Sequence, residues 1–109
     1  MERTVGWMTP LVSELQQFCQ HHEEGDRAGA AAGMLAHLRH DWADVPVVSL
    51  PPVKGEVRDP EELALVIVRD VGEVAGVLLD AADSEQSLGW ARANLIQDLE
   101  SYEDAAVTP

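Results

Sequence analysis

A chain of 109 residues, 46% hydrophobic and 25% charged, has the length and make-up of one globular domain and lies outside the disordered and fibrous classes. Twenty acids against seven bases give a net charge of −13, which repels nucleic acid and anionic membrane and favours approach by a basic protein surface. With Cys19 the only cysteine, no internal disulfide can form.

The first clear helix start is Thr9-Pro10, which predicts Thr9 as N-cap, Pro10 in the first helical position and a helix over 10–24. Leu11, Val12, Leu15, Phe18, Cys19 and His22 form its apolar stripe, and Gly25 closes it. Glu23 and Glu24 sit at its C-terminal end, where negative charge opposes the helix dipole by ~0.3–1 kcal/mol each. Asp26 caps a second helix over 27–42, so a very short link makes the two an antiparallel hairpin. Gly29 and Gly33 in that helix each cost ~1 kcal/mol relative to Ala, which a close helix approach would offset.

Residues 43–58 carry Pro46, Pro51, Pro52 and Gly55, which exclude a continuous helix. Fully stretched, such a segment reaches ~50 Å, enough to cross the whole bundle, so the third helix can run in either direction relative to the second. Two readings of this loop stand side by side: a polyproline-type binding segment at Leu50, Pro51, Pro52 and Val53, or a strap whose valines cover the core.

Asp59-Pro60-Glu61-Glu62 is the strongest local signal, with Asp59 as cap, Pro60 in the first helical position and Glu62 reaching back, opening a helix over 60–82. Glu62, Arg69, Glu73 and Asp80 make one narrow polar stripe on it. A helix so broadly apolar is either central or paired with another chain, and Gly72 and Gly76 suggest a close crossing. Asp83 with Gln86 starts a last helix over 84–104, whose stripe is Leu88, Ala91, Leu95, Leu99 and Tyr102. The expected fold is all-α: a four-helix bundle with a long irregular crossover between the second and third helices.

The histidines are the first candidates for chemistry. Cys19 with His22, and His37 with His40, each have the i, i+3 spacing that puts two metal ligands on one helical face. In an antiparallel hairpin the two pairs are offset by ~7 Å along the axis, too far for one tetrahedral zinc, so no metal and no cofactor is expected. The run Leu38-Arg39-His40-Asp41-Trp42 resembles the phospho-accepting segment of histidine phosphotransfer domains, which are small four-helix bundles. That resemblance implies phosphotransfer at His40 or His37 beside Asp41. Where that family carries Lys and Gly, three and four places after its histidine, this chain has His40 and Asp41 after His37, or Ala43 and Asp44 after His40. The same His-Asp pair is also similar to that of metal-dependent phosphohydrolases, whose ligand sets need a longer chain.

The carboxylates fall at predicted helix ends and polar faces, where they are solvated rather than tuned for acid–base work. The chain has no phosphate-binding glycine loop and no nucleophile elbow. Thirteen of the 20 acids lie in residues 55–109, a concentration that admits a nucleic-acid mimic blocking a DNA-binding protein. The leading expectation is a non-catalytic adaptor, inhibitor or regulatory subunit. It would bind a basic protein surface through the loop and through Asp80, Asp83, Glu100 and Glu103, with self-association through the third helix belonging to the same reading. The longest apolar run, Leu63 to Val68, is too short to span a bilayer. A cytoplasmic setting without membrane contact is expected.

Overall fold

The computed structural model describes residues 3–42, 45, 48, 50, 59–79 and 85–107. They form four helices, α1 (Arg3–Glu23), α2 (Arg27–His40), α3 (Pro60–Leu79) and α4 (Glu85–Val107), with no strand among the described residues. None of these helices is long and apolar enough to cross a membrane.

Local chemistry fixes the helix ends at one pole of the bundle. Gly25 takes a left-handed backbone, φ +85°, which glycine adopts without steric penalty. Around it Asp26 N–H donates to the His21 carbonyl and Gly25 N–H to the His22 carbonyl, the paired bonds of a Schellman stop. Asp26 then caps α2, its carboxylate accepting from the Gly29 N–H at 3.0 Å. A Cβ on Gly29 would collide with that carboxylate, which gives this glycine a local purpose. Asp59 opens α3 in the same way, its Oδ1 accepting from Glu61 N–H at 3.1 Å.

α1 departs from the sequence expectation, because it starts at Arg3 and Pro10 lies inside it rather than at its first turn. An interior proline removes one backbone bond and costs ~3 kcal/mol. The turns ahead of Pro10 persist because Trp7 stacks on the buried Trp42 of the α2 end, with ring centroids 4.6 Å apart, and Met8 packs against the core. An indole buries 150–250 Å² when covered. At ~25 cal/mol per Å² even half of that yields a comparable ~2–3 kcal/mol.

Each helix packs against two others: α1 against α2 and α3, and α4 against α2 and α3. The ends set the directions. His22, at the end of α1, bonds both Glu61 at the start of α3 and Tyr102 near the end of α4. At the other pole Arg92, early in α4, donates twice to the carbonyl of Leu38, late in α2. All neighbouring pairs are therefore antiparallel, and α2 and α3 are parallel and diagonal. The chain leaves α2 at one pole and enters α3 at the opposite one. On the way Val45 is buried in the core, while Val48 and Leu50 are half-buried and line a cavity together with Ala93 and Ile96 of α4. At Val45 the crossover covers the core.

The core runs the length of the bundle through Leu11, Phe18, Met34, Ile67, Leu95 and Leu99, none more than 1% exposed. Among the described residues Gly72 and Gly76 mark no close crossing, since a Cβ at either would meet nothing within 4 Å.

A candidate docking groove between the first and third helices

The α1–α3 seam is the loosest of the four, and it opens into a groove of about 340 Å³. Phe18, Cys19 and His22 on α1 and Ala64, Leu65 and Val68 on α3 line it, while Glu23, Glu61 and Glu62 supply carboxylates at its rim. Leu65 is 74% exposed and Val68 42%, so a large apolar surface faces water beside negative charge. Burial raises the Cys19 thiol above its ordinary pKa, and Glu23 adds to the effect. The thiol therefore stays protonated and acts as a small apolar wall.

At the groove's upper end three helices meet on one imidazole. His22 Nδ1 lies 2.7 Å from the Tyr102 hydroxyl and Nε2 lies 2.9 Å from the Glu61 carboxylate. A carboxylate only accepts, so in the neutral ring Nε2 carries the proton and the Tyr102 O–H donates to Nδ1. Tyr102 is fully buried and its ring tilts against Phe18, with centroids 5.1 Å apart. Burial, with smaller contributions from nearby charges, raises the phenol's pKa and keeps it a donor. Arg27 stands 3.6 Å from the other oxygen of Glu61. The cluster positions the rim carboxylate and ties the ends of α1, α3 and α4. Tyr102→Phe keeps the packing but leaves Nδ1 without its donor, so urea denaturation is expected to show a loss of ~1–3 kcal/mol. An unchanged midpoint would mean that the bond contributes nothing.

A second polar feature lies in the α3–α4 seam. Asp70 is only 4% exposed, and one of its oxygens, Oδ2, is buried without a partner. Burial, the hydrogen bond to the Asp98 side chain and the negative charges of Asp98 and Glu73 push its pKa up to about 8, against a weaker opposing pull from Arg69. Asp70 therefore keeps its proton at neutral pH and can donate it to the Asp98 side chain.

Of the residues singled out from the sequence, the structure brings Leu50 and Glu100 together. They line a separate cavity of about 330 Å³ along α4, where Glu100 pairs with Arg39 at 3.6 Å. Glu103 is half-buried one turn further on. Pro51, Pro52, Val53, Asp80 and Asp83 lie outside the described residues. His37 bonds Asp41 through Nδ1 at 2.6 Å, and its Nε2 is buried with no hydrogen-bond partner. His40 and Asp41 are exposed at the end of α2. No three His, Cys, Asp or Glu side chains among the described residues are grouped to hold a metal ion.

Asp70 is the polar residue that sequence reasoning passed over, and His22 was weighed there only as a metal ligand beside Cys19. Both stand in apolar stripes, His22 after Phe18 and Asp70 between Ile67 and Val74. A polar residue in such a stripe needs a buried partner, and that was the available signal.

No protein-family model, curated protein or solved structure matches the chain.

Proposed function

We propose that this chain is a non-catalytic protein-interaction module that docks a partner segment in the α1–α3 groove. The observation that carries the reading is Leu65, 74% exposed on the groove wall beside the rim carboxylates Glu61 and Glu62. An apolar floor with a negative rim suits a helical segment that brings one or two apolar anchors flanked by lysine or arginine. The net charge of −13 supports the same partner by steering a basic surface towards the domain. A cytoplasmic setting fits a protein whose one thiol is free, and self-association through α3 belongs to the same reading.

The test uses a synthetic amphipathic helix with a leucine face and flanking lysines, titrated at micromolar protein while amide NMR shifts are followed. Shifts are expected to centre on Phe18, Leu65 and Val68. Leu65→Asp is expected to weaken binding about tenfold or more, the loss of one anchor worth ~1.4 kcal/mol or more. The variant adds negative charge, so purely electrostatic attraction would hold the peptide as tightly or more tightly. That outcome would sink the groove as the docking site.

A further inference from the structure

We propose that the outward face of α3 pairs with the same face of a second copy of this chain, antiparallel, about a two-fold axis at Gly72. The proposal rests on reading α3 as a docking face and adds a particular occupant and register. Leu65 and Leu79 are the most exposed large hydrophobic residues described, at 74% and 68%. They stand seven residues to either side of Gly72, while Val68 and Gly76 stand four to either side. At 100° per residue all five share one face. In an antiparallel pair centred on Gly72, Leu65 of one copy meets Leu79 of the other, and Val68 sits over the bare backbone of Gly76.

Among the described residues nothing packs against these glycines. Each costs ~1 kcal/mol in a helix interior, and the space beyond both is open. Against a second α3 they let the two backbones approach.

The charges agree with this register. Arg69 and Glu73 are exposed on one flank of the stripe, a turn apart. An antiparallel pair brings like flanks together, so Arg69 of each copy faces Glu73 of the other. A parallel pair would bring Leu65 to Leu65 and offers no such exchange.

The interface is small. One helix face of this length covers ~300 Å² per copy, from ~30 Å of helix and a ~10 Å width, well under the ~800 Å² per side of a standard interface. Each copy also carries −13 charges. Association is therefore weak, on the order of 10–1,000 μM, and strengthens as salt shortens the screening length from ~30 Å at 0.01 M to ~3 Å at 1 M. Salt weakens the binding of a basic partner, so the two behaviours separate.

Sedimentation equilibrium up to ~1 mM protein, at low and high salt, measures the mass. It is expected to rise from 11.9 kDa towards twice that, and further at high salt. Register is tested by oxidative cross-linking in a Cys19→Ser background. Gly72→Cys is expected to form a disulfide dimer, and Leu65→Cys mixed with Leu79→Cys a heterodimer. Leu65→Cys alone is expected to form none, its two copies lying ~21 Å apart along the axis. A monomer at every concentration and salt overturns the pairing, and efficient self-cross-linking of Leu65→Cys overturns the antiparallel register. Either result leaves the groove intact if Leu65→Asp still weakens the peptide at micromolar protein, where the chain is monomeric.

Discussion

Replacing Asp70 with asparagine is expected to stabilise the fold by about 2–4 kcal/mol at pH 9 while changing it by less than ~1 kcal/mol at pH 5. In the unfolded chain this carboxyl ionises near 3.9, whereas in the folded state burial and Asp98 keep its proton until about pH 8. Between those values the folded state binds more protons than the unfolded one, so stability must fall as pH rises, by up to ~1.4 kcal/mol per unit. The contribution is complete below about pH 4, is lost progressively towards pH 8 and is flat above it. Asparagine carries its own N–H donor to Asp98 and has no proton to lose. Repulsion among the other carboxylates also grows with pH, but it is common to both proteins and cancels in their difference. Urea denaturation at pH 5, 7 and 9 measures that difference. Parallel stability curves for the two proteins would show that Asp70 is not the proton-holding group.

Much of the architecture was legible because this chain marks its helix ends with chemistry acting over three or four residues. Asp26 and Asp59 each cap a helix through a carboxylate–amide bond, and Gly25 supplies the left-handed stop. What local chemistry could not set was decided by distant contacts. The extension of α1 past Pro10 depends on Trp42, 35 positions beyond Trp7 in sequence. The direction of α3 depends on which pole receives Glu61, and nothing within residues 43–58 specifies that. The docking groove was hidden for a related reason. The apolar breadth of α3 was plain, but periodicity does not say which part of a broad apolar face the bundle leaves uncovered. Gly72 and Gly76 suggested a close crossing without saying whether inside the chain or with another, and both face outward. The groove is set by where α1 and α3 diverge, a property of their relative placement and not of either helix.

Truncation of Trp42 to alanine is expected to be the most damaging of the substitutions considered, lowering stability by about 3–5 kcal/mol. The indole is fully buried, stacks on Trp7 and makes an edge-to-face contact with His37, ring centroids 6.0 Å apart. Its loss leaves a cavity and also removes what holds the turns before Pro10 in a helix. Those turns are then left with an interior proline and few core contacts, so the damage should be uneven along α1. Hydrogen exchange is expected to show lost protection at the amides of Trp7 to Thr9, while Leu15 to Cys19, packed at the docking pole, keep theirs until global unfolding. Trp42→Phe separates the two parts of the effect. Phenylalanine retains much of the ring contact with Trp7 and removes an indole N–H that is buried without a partner, a group costing ~1–3 kcal/mol when unsatisfied. It should therefore lose far less stability than the alanine variant and keep the early turns protected. Equal loss of protection along all of α1 in Trp42→Ala would mean that the helix opens as one unit, and that the stacked tryptophans do not carry its first turns.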